Sequence, residues 1–220
     1  TKAKEIVRKC IDSNIGFLEP ESHLISVSTV GSGYNNPLGE INKAWNEAFI
    51  NASMESFLVG FNDPRLPKYF DKATGSGKGK YLFDIKGMYK GIRQGINVSH
   101  GNYNGHSKPT VTQSTNAILM TPAEVYFLLA EAALKGYITT KSAQTYYAEG
   151  VKASFTQWGV ENQLDTYLQS EATPTDFKDA LDSRFDEDAT TDITPKWDDN
   201  DSYDRKLERI ITQKWIACYP

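Results

Sequence analysis

The sequence predicts an all-α protein built from helical hairpins, with long loop insertions and minimal β structure. Three observations carry this. Apolar residues recur at helical spacing in several separate stretches. One of these, Ala123–Lys135, is apolar on nearly every face and has both a start and a stop signal. Only two short runs, residues 24–30 and Tyr81–Ile85, read as strands.

Taken in order, Ala3, Ile6, Val7, Cys10 and Ile11 form one helical stripe that Gly16 closes. Residues 17–39 carry prolines and glycines and read as loop. A second helix is expected over about 40–61, with Ile41, Ala44, Trp45, Ala48, Phe49 and Ala52 on its apolar face; Asn62-Asp63-Pro64 stops it. Residues 63–116 are glycine-rich and without period, so they read as long ordered loops with functional potential. Thr121-Pro122-Ala123-Glu124 is a capping box with proline at the first helical position, and Gly136 suits the residue after the helix. A helix over about 142–158 follows after a short turn, so the two helices pack as a hairpin. Weaker helices are expected near 161–170 and 175–184. A last helix over 204–219 places Leu207, Ile210, Ile211, Trp215 and Cys218 on one stripe, and Trp45, Trp158 and Trp215 are all expected in the core.

Composition narrows the function. The 220 residues hold 39% hydrophobic and 24% charged residues, an ordinary globular balance. No run of 18 apolar residues exists, so no membrane-spanning helix is expected. Two cysteines, expected to stay unbonded as small hydrophobes, and three histidines leave little for a disulfide framework or a histidine-based metal centre. The net charge of −4 argues against nucleic acid as a partner. Charge is uneven: Glu171–Asp204 holds twelve acids and three bases, whereas residues 65–93 hold eight bases and two acids. These are two solvated faces, or two segments that meet each other or a partner. No GxSxG, HExxH, CxxC or Walker pattern occurs, and the paired Glu124 and Glu131 are explained by helix contacts. The acidic run Asp198–Asp204 fails the spacing of a calcium loop. No cofactor, metal or catalytic residue is expected.

The hairpin Ala123–Phe155 has tetratricopeptide-like spacing, with small residues on its first helix and Ala143, Tyr147 and Gly150 on its second. Around it stand Asn62-Asp63-Pro64-Arg65-Leu66-Pro67, Tyr89-Lys90-Gly91-Ile92-Arg93-Gln94-Gly95, the AEVYFLLAEAALKG run from Ala123, residues Tyr147–Trp158, and Ile211-Thr212-Gln213-Lys214-Trp215-Ile216-Ala217. In that order these resemble the SusD/RagB-like family of Bacteroidetes outer-membrane lipoproteins. The resemblance implies a single SusD-like α/α superhelical domain over 1–220, as the C-terminal portion of a longer protein whose lipidated N-terminal part and C-terminal tail lie outside it. It implies a non-enzymatic nutrient-binding role: capture of an oligosaccharide, or in some members a peptide, at the extracellular face of the outer membrane, for delivery to a SusC-like TonB-dependent transporter. Membrane attachment would be only through a lipid anchor outside this sequence. The rival reading is a tetratricopeptide-like scaffold that binds only proteins. A glycoside hydrolase has the least support.

Sugars bind through aromatic faces and planar polar groups. The loop aromatics Tyr81, Tyr89, Tyr103, Trp197 and Tyr203, with His100 and His106, are therefore candidates. The resemblance favours the loops before the capping box. The expected ligand-binding set is Tyr89, Tyr103, Asn102, Asn104, Trp197 and Tyr203. Asp63-Pro64-Arg65 is expected to shape a turn, with Asp63 capping backbone and Arg65 pairing with a carboxylate.

Overall fold

A computed structural model of the chain describes residues 1–13, 15–19, 24–29, 33–75, 85–95 and 100–219. The expected strand residues Tyr81–Asp84, and with them the candidate Tyr81, lie outside the described residues, as does the side chain of His100. The described chain is mostly helical, as the periodicity predicts. Its only named sheet is one pair of short strands, Ile25–Val27 and Ala117–Met120.

The chain gathers into two compact units. The first comprises Thr1–Ser26, Ile118–Glu171 and Ile193–Pro220. Its centre is the hairpin of helices Pro122–Leu134 and Ala143–Trp158. Thr121 starts the first helix by accepting from the Glu124 N–H at 3.2 Å, and Gly136 follows its end with φ +65°. Gly159, at φ +64°, terminates the second. The two helices touch through Gly150: a Cβ there would stand 2.8 Å from the Phe127 ring, so only a glycine admits this approach. Phe127, Ala130, Val151 and Phe155 are fully buried alongside it.

The last helix, Tyr203–Ala217, packs on the first helix of the hairpin, but not by the expected stripe. It buries Arg209, Ile210, Gln213, Ile216 and Ala217, while Ile211 and Cys218 are exposed and Trp215 is 39% exposed. The inward polar residues are matched: Arg209 donates to the Thr194 carbonyl at 2.9 Å and to Asp201 at 2.7 Å, and Gln213 donates to the Tyr167 hydroxyl at 2.8 Å. A hydrophobicity pattern cannot foresee that polar side chains with partners will turn inward. The N-terminal helix, Lys2–Ile11, likewise buries none of its residues, and Cys10 is exposed rather than packed.

The second unit comprises Val27–Ala117 and Ala172–Asp192. The helix expected over 40–61 is broken here. A short helical stretch, Pro37–Gly39, continues as a wide turn, Glu40–Ala44, and a separate helix runs Ala52–Gly60. Gly39 presses on the Thr112 backbone so closely that a Cβ would stand 2.1 Å from it. The buried Asn42 amide donates to the carbonyls of Pro109, at 2.6 Å, and Val111, at 2.8 Å. These ties fix the turn to the 109–113 segment and end the helix there. Asn46 adopts φ +63°, and Trp45, expected in the core, is 60% exposed.

Two ion pairs lie within this unit's core. Asp63 and Arg65 are both fully buried, with Arg65 Nη2 2.6 Å from Asp63 Oδ2 and the Arg65 N–H donating to Asp63 Oδ1 at 2.9 Å. The turn expected of Asp63-Pro64-Arg65 is thus present, and Asp63 is itself the carboxylate that Arg65 meets. Lys90 Nζ lies 2.6 Å from Glu55 Oε1, and the Gly91 N–H donates to Glu55 Oε2 at 2.5 Å. The helix expected near 175–184 is reduced to one turn, Ser183–Phe185, beside a bridge between Phe177 and Glu187. Near 161–170 the helical part is Leu164–Leu168.

Candidate functional site

The predicted site residues fall in two groups. Trp197 and Tyr203 belong to the first unit; Tyr89, Asn102, Tyr103 and Asn104 belong to the second.

In the first unit, Trp197 lines a hollow of about 530 Å³ together with Gln144, Glu149, Lys152, Leu168 and Lys196. Its ring is already engaged: Tyr147 lies 5.4 Å away, the Arg209 guanidinium stands 5.9 Å from the ring centre, and the indole N–H donates to Asp199 at 2.9 Å. Trp197 therefore secures the acidic loop to the hairpin. Tyr203 is exposed, but it is the first residue of the last helix and does not line this hollow. Ser202 caps that helix by accepting from the Arg205 N–H at 3.2 Å.

In the second unit Tyr103 is 2% exposed, so its ring cannot serve as a surface platform. It packs edge-on against His106, 5.0 Å between centroids, and its hydroxyl faces Asp179 at 3.5 Å. Burial and the Asp179 charge push the phenol up to about 12. His106 is also buried, with Nδ1 2.9 Å from the Tyr103 carbonyl, and burial pushes its imidazole down to about 4. Both rings are packed in the core rather than presented at the surface as a ligand contact requires. The Glu55 carboxyl is held above its ordinary value, because burial outweighs the hydrogen bond and charge of Lys90 and the Gly91 N–H.

The surface outside this core is a different matter. Asn46 Nδ2 donates to Asn104 Oδ1 at 3.1 Å, and Asn46 Oδ1 accepts from Lys108 Nζ. Lys108 stands 5.1 Å from the Phe49 ring centre. Beside it, Lys43 lies 3.6 Å from Asp71, and Lys72 stands 5.7 Å from the centre of the half-buried Tyr89 ring. The result is a strip holding two linked side-chain amides, a partly covered tyrosine and three lysines, and Trp45, next to Asn46 in sequence, is exposed. Tyr89 and Asn104 of the predicted set lie on it. Asn102 is half-buried in the turn that leads to Asn104. The backbone at Asn46 is left-handed, a conformation asparagine tolerates better than most residues.

Sequence reasoning missed Trp45 and Asn46 because the helical stripe 41–52 placed Trp45 inside. The break in this stripe comes from tertiary ties at Gly39 and Asn42 that the local pattern does not contain. The basic and acidic segments do meet within this unit. Arg93 pairs with Glu187 at 2.7 Å beside a hollow of about 250 Å³, and Lys90 stands 4.7 Å from the Phe177 ring centre. Among the described residues no group of three His, Cys, Asp or Glu is arranged to hold a metal ion, and no helix is long and apolar enough to cross a membrane.

The family model described as SusD-like, Susd and RagB outer membrane lipoprotein, matches residues 1–220. A SusD homologue from Bacteroides vulgatus is 36% identical over 100% of this chain and 44% of its own, with a TM-score of 0.89. A chitin-binding SusD homologue from Flavobacterium johnsoniae is 32% identical over 99% of this chain and 43% of its own, with a TM-score of 0.87. A SusD homologue from Bacteroides thetaiotaomicron is 30% identical over 100% and 44%, with a TM-score of 0.83. The chain thus spans less than half the length of each. No functionally curated relative matches it.

Proposed function

We propose, for a chain that belongs to the SusD and RagB family of outer membrane lipoproteins, that it supplies a glycan-capturing surface along the Trp45–Asn46–Asn104 strip. The observation that carries this is an indole 60% exposed beside an asparagine in a left-handed conformation, whose amide is tied to a second asparagine. A sugar ring lays its C–H face on the indole. The Asn104 side chain uses only its carbonyl oxygen on protein among the described residues, which leaves its amide N–H groups for sugar hydroxyls. Chitin binding by the Flavobacterium johnsoniae relative supports a glycan as the ligand class.

The ligand is read as bound and not cleaved, because the family this chain belongs to is one of binding proteins. One stacked ring and a few hydrogen bonds, each worth about 0.5–1.5 kcal/mol net, give roughly micromolar to millimolar affinity. Weak capture suits a protein that passes its ligand on. In the whole protein we assign the next step to a SusC-like TonB-dependent transporter at the extracellular face of the outer membrane, with attachment through a lipid anchor.

The test is calorimetric titration of the chain and its Trp45→Ala variant with a panel of neutral and acidic oligosaccharides, with chromatography of the sugar afterwards. Binding of intact sugar that the variant weakens about tenfold or more supports the proposal. Recovery of shortened sugar would make the protein a hydrolase. Absence of any binding would put the peptide or protein-scaffold reading in its place.

A further inference from the structure

We infer that the glycan taken by this strip is acidic, carrying a carboxylate or sulfate that Lys108 receives. The inference rests on the glycan reading above and adds the ligand's charge class.

Lys108 is placed as an anion receptor rather than as half of an ion pair. Its ammonium is held by the Asn46 carbonyl oxygen and stands 5.1 Å from the Phe49 ring centre, and among the described residues no carboxylate lies within ion-pair distance of it. Lys43 adds a second positive charge nearby, and its own partner, Asp71, is exposed and 3.6 Å away, a loose pair that water competes with. Lys72 is a third cation at the Tyr89 end of the strip. Against these three lysines stand Asp71 and, one residue beyond Asn46, Glu47, which pairs with no cation among the described residues. The net sign of the strip is positive although the chain as a whole is −4. Burial and repulsion by Lys43 both depress the Lys108 ammonium, and the opposite charge of an anion offsets them. Asn46 joins the two functions. One side-chain amide orients both Lys108 and Asn104, so an acidic group on the ammonium brings the same residue's hydroxyls towards Asn104 and its ring towards Trp45.

The experiment compares tetrasaccharides of equal length on the purified 220-residue chain by calorimetry: tetragalacturonate, a sulfated chondroitin tetrasaccharide and chitotetraose, each at about 25 and 250 mM salt. At low salt at least one acidic tetrasaccharide should bind about five- to tenfold tighter than chitotetraose, and that advantage should fall at high salt as exposed charges are screened. The carboxylate and sulfate arms identify which anion is read. Lys108→Met, which removes the ammonium and keeps a side chain of similar length, should remove the preference, lowering affinity for the acidic tetrasaccharide about five- to tenfold more than for chitotetraose. Neutral sugar binding equally or better at both salts overturns the acidic assignment and leaves the glycan reading standing. Binding of none of the three overturns both. The salt dependence of the unaltered chain decides the matter even where the variant is unstable.

Discussion

Replacing Lys90 by methionine isolates the energetics of the second unit's core. Lys90 and Glu55 side chains are 9% and 10% exposed and 2.6 Å apart. Glu55 also accepts from the Gly91 N–H, and the Lys90 backbone N–H donates to Ser107 at 2.9 Å, so the pair ties the Ala52–Gly60 helix to two loop segments. Methionine keeps a side chain of similar length but loses the ammonium that stands 4.7 Å from the Phe177 ring centre and leaves a carboxylate buried without its cation. Removing one partner of a buried pair costs about 3–5 kcal/mol, most of it the penalty of the stranded charge. A Glu55→Gln change in the same background removes that charge and keeps an acceptor for Gly91, so the double variant should recover about half the loss or more. The pH dependence follows from direction. Glu55 is already raised, and loss of the two Lys90 contributions that lower it raises it further. A carboxyl raised in the folded state stabilises fully below its unfolded value and loses that contribution as pH climbs through the folded one. Lys90→Met should therefore be least destabilised near pH 5 and most at pH 8. Urea denaturation of the two single variants and the double at three pH values measures all of this. A Lys90→Met cost under about 1 kcal/mol, or a double variant as unstable as the sum of its singles, would refute the reasoning.

Three further expectations concern packing and titration. Tyr103→Ala should lower stability by about 3–5 kcal/mol, measured by urea denaturation, because the ring is core and not a binding platform. Gly150→Ala should cost about 1–3 kcal/mol by the same measurement, since the new methyl group meets Phe127 at 2.8 Å; an unchanged midpoint would mean the hairpin is packed differently. His106 should titrate near 4 by NMR, and because its folded value is depressed, its stabilising contribution, on the order of 3 kcal/mol, is present above about pH 6.5 and lost as pH falls through 4.

How far the sequence reached depended on what each segment's signal consists of. The hairpin was legible because capping, apolar periodicity and terminating glycines at Thr121, Gly136 and Gly159 all agree. The turn at Asp63-Pro64-Arg65 was legible because its chemistry is local. Trp45 was misplaced inside a continuous helix because the break comes from tertiary ties, the Asn42 amide on the Pro109 and Val111 carbonyls and Gly39 against Thr112, which periodicity does not contain. The last helix was rotated for a related reason. Arg209 and Gln213 turn inward to partners far away in sequence. Among the loop aromatics, Tyr89 is half-buried whereas Tyr103 is in the core, a difference of burial that loop chemistry does not contain.

The central claim is that sugar stacks on Trp45, and the most direct test follows the four tryptophan indole N–H signals by NMR during oligosaccharide titration, with Trp45→Phe assigning the first. The Trp45 signal should move progressively with added sugar while that of Trp197, bonded to Asp199 and covered by Tyr147 and Arg209, stays in place. Movement of Trp197 with Trp45 unmoved would contradict the account and relocate the site to the hollow of the first unit.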